Sequence, residues 1–236
     1  MYRTFALTIA GLALTGVGSA ATEPNIQGSF GFTSTAACLT AMGHVGDPNT
    51  SPPMANPTPG VALPNSGFNA SLQPNDTPNS EAFSFSNAVE GIRTFDGRGH
   101  GTVKGTTVGI TVRPTLGLGG FPHFLPAASG AEFSYKFTYV VHADRSWTAT
   151  MVPSSYTKTY TAGPRTGQTS TVDAIPPAAG MISEDGNTLI AAQVAPTVET
   201  VTFSNGDVHP QICHRSRVYI KLKDRDHDHD DDHGHH

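Results

Sequence analysis

The sequence predicts an all-β protein that forms a single antiparallel up-and-down β-barrel of about eight strands. The composition is rich in Gly, Thr, Ser and Pro, and helix formers do not recur at helical spacing. Several segments alternate apolar and polar residues, and Asp-Gly or Asn-Gly pairs separate them, as in β-hairpins. Closure into a barrel is favoured because it removes exposed strand edges. A β-sandwich is the alternative, since turn spacing alone does not separate the two folds.

The N-terminus has the layout of a secretory signal peptide over residues 1–21. Arg3 supplies a positive charge, residues 5–17 form an apolar run, and small residues follow up to Ala21. The apolar run is too short to span a bilayer, and no later segment is long and apolar enough to do so. We therefore expect a secreted or periplasmic protein without a membrane span, with one barrel domain over residues 22–223.

The first predicted strand covers residues 25–41 and places Phe30 and Phe32 on one face. Residues 42–80 follow, with eight prolines among Gly, Asn and Ser. Each proline fixes φ and removes a backbone donor, so this stretch is expected to be a long loop and not a strand or a helix.

Two segments in the middle of the chain carry the clearest strand patterns. Residues 83–112 predict a hairpin about the turn at Asp96-Gly97. Residues 132–142 alternate strictly, which indicates one face in a core and one in water. The inward face is aromatic, and the next strand adds a tryptophan. These residues either line a ligand cavity or fill the core, and they are Phe133, Tyr135, Phe137, Tyr139 and Trp147.

The last third of the chain is less regular. Residues 156–172 are polar and predict at most an edge strand followed by a loop. A further hairpin is expected at Asp185-Gly186, and the final strand is expected over residues 208–222. On that strand His214 is expected to share an inward face with Ile212 and Val218, which makes it a further candidate for the cavity.

The two cysteines, Cys38 and Cys213, predict one disulfide bond. An even number of cysteines in an exported protein is most simply a bridged pair. The bond would join the first predicted strand to the last, and chain-entropy reasoning gives about 4–5 kcal/mol for such a closure.

The net charge of −5 lies entirely in residues 224–236, which hold six aspartates and one arginine. The rest of the chain is neutral and has no basic stripe, which argues against nucleic-acid binding. Imidazoles interleaved with carboxylates suit Zn, Ni or Cu, so the tail is expected to bind divalent metal. A solvated tail without a metal-binding role, or a tag, is the alternative. The candidate ligands are His227, His229, His233, His235 and His236.

Three stretches carry a resemblance to a known group of proteins. They are GSFGFTSTAACLTA near the start, EGIRTFDGRGHGTVKG in the middle and ICHRSRVYIKL at the end. Together they resemble uncharacterised secreted microbial proteins, with a predicted fold similar to calycin or allene-oxide-cyclase-like barrels. The resemblance implies a barrel and assigns no activity.

No catalytic motif accompanies these patterns. The chain has no G-x-S-x-G and no H-E-x-x-H, and its isolated aspartates fit turn positions. We expect a secreted, non-catalytic barrel that requires no cofactor and binds a small apolar ligand or acts as a surface module. The alternative is an isomerase or cyclase, which the resemblance allows. The two differ in one respect: an enzyme predicts polar groups converging in an open cavity, and a structural module predicts an interior filled by aromatics. The oligomeric state is left open.

Overall fold

The computed structural model describes residues 25–41, 68, 71–74, 83–112, 127–173 and 175–223. This part of the chain contains eleven strands and no helix, which confirms the predicted all-β class. The strands are β1 (Gln27–Thr40), β2 (Phe83–Asp96), β3 (His100–Val112), β4 (Ala127–Val141), β5 (Ser146–Met151), β6 (Thr157–Ala162), β7 (Thr169–Val172), β8 (Ala178–Ile182), β9 (Thr188–Gln193), β10 (Val198–Phe203) and β11 (Val208–Lys221).

Antiparallel pairing closes the sheet into a barrel-like ring of eight strands. The ring runs β1–β2–β3–β4–β5–β8–β9–β11 and returns to β1. A second ring shares β1 to β4 and β11 but closes through β6, β7 and β10. Five long strands therefore form a common wall, and two sets of three short strands complete it one above the other. The prediction of about eight strands matches each ring, and the stacked short strands raise the total to eleven.

We name the two halves of the ring by what fills them. The packed tier is the half closed by β5, β8 and β9, and the cavity tier is the half closed by β6, β7 and β10. β4 pairs with β6 through residues 130–134 and with β5 through residues 137–141. β11 pairs with β10 through residues 208–212 and with β9 through residues 216–220. Each of these two strands thus spans both tiers.

The predicted hairpins are present, and their turn residues explain why. Asp96 Oδ1 accepts hydrogen bonds from the backbone N–H groups of Arg98, at 2.7 Å, and His100, at 2.9 Å. Gly97 and Gly99 adopt positive φ, which only glycine does without strain. The two backbone N–H groups, His100 before Arg98, stabilise the charged carboxylate and lower the pKa of Asp96. Asp185 has the same role between β8 and β9, where it accepts from the Asn187 N–H at 3.0 Å.

The disulfide between Cys38 and Cys213 is present, as predicted. The two residues face each other in the register of β1 and β11, whose pairing closes both rings. Both lie in the half of the wall that belongs to the cavity tier, because β11 pairs with β10 there. The bond therefore fastens the seam at which the first and last strands meet.

The packed tier holds the main hydrophobic core. Phe95 lies at its centre, with edge-on contacts to Phe30, Phe137, Tyr139 and Trp147 at centroid distances of 5.0–5.9 Å. Trp147 is completely buried. Edge-to-face aromatic pairs at such distances are favourable beyond the area they bury.

Two sequence predictions were wrong about facing and pairing. On β11 the inward residues include Cys213, Arg215, Arg217 and Tyr219, whereas His214 and Val218 are exposed. The inward face was therefore assigned one residue out of phase. Residues 156–172 are also more regular than predicted. They supply β6 and β7, and both strands belong to the second ring and not to an edge.

Several predictions fall outside the described residues. These are the signal peptide, the metal-binding tail over residues 224–236, and most of the Pro-rich loop. Phe68 and residues 71–74 of that loop are described, and Phe68 is buried against Ala41 and Val198. No helix that could cross a membrane occurs in the described part of the chain.

Candidate functional site: an interior cavity

The cavity tier encloses an open space of about 490 Å³. Its lining comes from the common wall and from β6, β7 and β10. The volume lies in the range of small-molecule pockets, which are usually concave, largely apolar and supplied with a few placed polar groups. The wall of this cavity combines apolar aromatic side chains with a few charged and polar ones.

Three aromatic rings form one side of the cavity. Phe133 and Tyr135 project inward from β4, and Tyr156 lies just before β6. The three ring centroids are 6.0–6.3 Å apart, and Phe133 is stacked on both tyrosines. Phe133 has room because it faces Gly105 across the β3–β4 ladder, where an added Cβ would lie 2.9 Å from its ring. Burial raises the pKa of Tyr156, so its hydroxyl stays protonated at neutral pH.

A buried carboxylate lies behind the cavity wall and binds the lining residues Gln211 and Arg215. Glu199 on β10 is 1% exposed and is held by Arg215 of β11 through both of its carboxylate oxygens. Gln211 donates a further bond to Glu199 Oε2 at 3.1 Å. The bidentate pair and the amide satisfy the charge of Glu199, as a buried carboxylate requires. Glu199 is therefore a partner for Arg215 and not a free acid.

Lys158 and Arg217 also line the cavity, and neither forms a salt bridge with any described residue. The Lys158 ammonium lies 4.8 Å from the centroid of the Tyr160 ring. Burial, with a smaller contribution from Arg215, lowers the pKa of Lys158 to about 8. Arg217 lies within hydrogen-bonding reach of the Tyr219 side chain. Burial opposes the charge of Arg217, but Tyr219, Tyr135 and the Glu199 carboxylate outweigh it and raise the pKa of Arg217. The cavity thus contains two cations that form no salt bridge with a described carboxylate.

Arg93 forms the boundary between the two tiers. Its guanidinium is 3.8 Å from the centroid of the Phe137 ring and donates a 2.9 Å bond to the Tyr219 hydroxyl. The residue is only 3% exposed and has no salt bridge among the described residues. Its charge is stabilised by the faces of the core aromatic rings. Tyr219 lies on this boundary too, with Arg93 on one side and Arg217 on the other.

The rim and wall add further polar groups. Arg165 approaches Asp207 at 3.3 Å and lies 3.7 Å from the centroid of the Phe203 ring. Thr40 and Thr107 line the cavity, but their hydroxyl oxygens are buried and have no hydrogen-bond partner within the described residues. A buried hydroxyl without a partner is costly, and neither oxygen is accessible from the cavity.

The structure divides the aromatic residues that the sequence proposed for a cavity. Phe133 and Tyr135 line it, whereas Phe137, Tyr139 and Trp147 pack in the core of the other tier. His214 is exposed on the outer surface, beside a shallow groove that includes Ile110 and Ile212. The expectation that His214 faces the interior was therefore wrong.

The sequence reasoning missed the charged half of the cavity. Arg215 and Arg217 alternate on β11 in phase with the buried Tyr219, which is the available signal. The signal was missed because Val218 and Ile220 are apolar and alternate on the other face, which suggested that their face points inward. Lys158 alternates in the same way with Tyr156 and Tyr160, in a segment that its polarity suggested was a loop.

No group of three or more His, Cys, Asp or Glu side chains that could hold a metal ion occurs among the described residues. The metal ligands predicted in the tail lie outside that part of the chain. No family model, curated protein or solved structure matches the chain. The resemblance to calycin or allene-oxide-cyclase-like barrels therefore stays a prediction, and the cavity itself carries the functional argument.

Proposed function

We propose that the protein binds a small organic molecule inside the cavity tier. One observation carries the proposal: the same five strands enclose a filled aromatic core at one end and an open cavity of about 490 Å³ at the other. Protein interiors are normally packed as densely as organic crystals. An unfilled space of this size therefore lowers stability, and a bound ligand would recover part of that loss.

The chemistry of the wall supports a ligand with an apolar body and at least one polar group. The three rings offer an apolar surface, and neighbouring lining residues offer guanidinium and ammonium donors. This differs from the purely apolar ligand that the sequence suggested. A disulfide bond is typical of proteins outside the cytosol, and it supports the proposal that the protein works in a secreted or periplasmic setting.

Native mass spectrometry of the protein recovered from its own secretion medium tests the proposal. We expect an added organic mass that survives desalting and is lost on denaturation. The variant Ser129→Phe fills the cavity, since Ser129 lines it opposite Gly109, and we expect that variant to lack the added mass. Thr102→Phe places the same ring on an exposed position of β3 and is the matched control. Bare wild-type protein that also takes up no fluorescent aromatic probe would contradict the proposal.

A second candidate is an enzyme of the isomerase or cyclase type. The observation that favours it is the convergence of polar groups in an open cavity. Lys158 has a pKa near neutrality, at which general bases work best. The compound extracted from wild type and from Lys158→Met distinguishes the two functions. A binding protein yields the same compound from both proteins, in a smaller amount from the variant, whereas an enzyme leaves unconverted substrate in the variant.

The tail is a separate proposal. Deletion of residues 224–236 is expected to abolish binding of zinc or nickel, because the interleaved histidines and aspartates supply the ligands. Isothermal titration of the full chain and of the shortened chain measures the difference. Unchanged binding would assign the metal to another part of the protein.

A further inference from the structure

The charges that face the interior do not balance. Five cations line the cavity or its boundary, and only two carboxylates do so among the described residues. The carboxylates are Glu199 and Asp207, and each is already paired with an arginine. The cations are Arg93, Lys158, Arg165, Arg215 and Arg217.

Burying a charge without a partner is among the most costly arrangements in a protein. Arg93 avoids most of this cost through the surrounding rings and the Tyr219 hydroxyl. Arg217 has the Tyr219 side chain and a longer-range attraction to the Glu199 carboxylate, which Arg215 already binds. Lys158 has the face of the Tyr160 ring. The lowered pKa of Lys158 agrees with this geometry, since burial and a neighbouring cation disfavour its charged form.

The apolar side of the cavity lies next to these cations. Tyr156 precedes Lys158 by two residues and contacts Phe133 and Tyr135, with centroids 6.2 Å and 6.0 Å away. A molecule that lies against these rings therefore places one end near Lys158, which forms no salt bridge with a described carboxylate.

We propose that the ligand is an organic anion, with a carboxylate or sulfonate group among Lys158, Arg215 and Arg217 and an aromatic or aliphatic body against Phe133, Tyr135 and Tyr156. The inference rests on the proposed binding function and adds the charge class of the ligand. An anion supplies the missing negative charge and forms charge-assisted hydrogen bonds in a site of low dielectric constant.

Two fluorescent probes that differ only in charge test the inference. Anilinonaphthalene sulfonate is an anion, and N-phenylnaphthylamine is the same molecule without the sulfonate. Both become brighter in an apolar environment, so one fluorescence titration of the folded wild-type protein measures each affinity. We expect the anion to bind about tenfold or more tightly, because hydrogen bonds to charged groups are roughly twice as strong as neutral ones.

Variants then locate the charge. Lys158→Met and Arg217→Met keep an unbranched apolar side chain and remove the cation. Each is expected to weaken binding of the sulfonate probe by about tenfold and to leave binding of the neutral probe nearly unchanged. Lys104→Met is the matched control, because Lys104 is exposed on the outer face of β3. Circular dichroism of each variant checks that the fold is retained.

The outcomes separate the two proposals. If neither probe binds and Ser129→Phe changes nothing, the cavity is not a binding site and both proposals fail. If the neutral probe binds as tightly as the anion in wild type, the binding function stands and the anionic class is wrong. If Lys104→Met weakens binding of the sulfonate probe as much as Lys158→Met does, the anion binds at the outer surface and the assignment to the cavity is overturned.

Discussion

The packed tier and the cavity tier are built by the same strands but differ in what those strands direct inward. On β4, Phe137 and Phe133 lie four residues apart, and each faces a glycine of β3, Gly101 and Gly105. Phe137 is 1% exposed within a cluster of rings, whereas Phe133 borders open space. The difference arises on the opposite wall, where apolar residues of β5, β8 and β9 give way to charged and polar residues around β6 and β10. The same long strands therefore enclose a packed core in one tier and an open cavity in the other.

The largest effect on stability is expected at the disulfide bond, which lies in the half of the wall that belongs to the cavity tier. Replacing Cys38 and Cys213 together by alanine releases a bond that spans 175 residues of sequence. Chain-entropy reasoning predicts a loss of about 4–5 kcal/mol in the free energy of unfolding. Denaturant titration of the oxidised protein and of the double variant measures it. A loss below about 1 kcal/mol would mean that strand pairing alone closes the seam.

The paired phenylalanines test the contrast between the tiers directly. Phe137→Ala should cost about 3–5 kcal/mol, because it leaves a cavity in a packed core. Phe133→Ala should cost only about 1 kcal/mol, because its ring already borders a space, and it should weaken the binding of an aromatic probe. Equal losses of stability in the two variants would contradict the division into a packed tier and a cavity tier.

The pH dependence of the cavity depends on Lys158. Its pKa of about 8 predicts that affinity for an anion falls as pH rises through that value, while Lys158→Met shows no such fall. The unfolded lysine keeps its proton up to about 10.5. The folded state therefore binds fewer protons between these values, and this group makes the ligand-free protein more stable as pH rises.

Other titratable and charged groups line the cavity beside Lys158. They are Tyr135, Tyr156, Tyr160, Arg165, Asp207, His209, Arg215 and Arg217, and Glu199 is bound to Arg215 behind the wall. Burial raises the pKa of Tyr156 and Tyr160, so neither ionises near pH 8. Probe titrations across this pH range, with wild type beside Lys158→Met, provide the measurement. An affinity that falls equally in both proteins would assign the titration to another group.

The smallest effect is expected on the outer face. Val218→Thr should change the free energy of unfolding by no more than about 0.5 kcal/mol, because Val218 is 43% exposed. Its neighbour Tyr219 points inward, and Tyr219→Phe should cost about 1–3 kcal/mol by removing the acceptor of the Arg93 bond. Thermal unfolding of both variants measures the contrast, and a larger effect at Val218 would restore the facing that the sequence suggested.

Local patterns explain which parts of the structure the sequence could predict. Alternation on β4 and the Asp-Gly turns are encoded within a few residues, so the strands and hairpins there were correct. β11 failed because the rule that places apolar residues inward is inverted around a polar cavity, and a phase error of one residue reverses every side chain. Two of the three aromatic residues of the site, Phe133 and Tyr135, were therefore among the predicted candidates. Tyr156 and the cations Lys158 and Arg217 were not, because they lie on or beside strands whose inward face the sequence did not reveal.

The order in which the chain visits the two tiers bears on how the protein folds. After the first four long strands the chain adds β5 above, β6 and β7 below, β8 and β9 above, and β10 below, before β11 seals both rings. Neither tier is formed by a continuous segment, and each is completed only when β11 pairs with β1. The cavity tier is therefore expected to unfold in the same cooperative transition as the packed tier, because the two share five long strands.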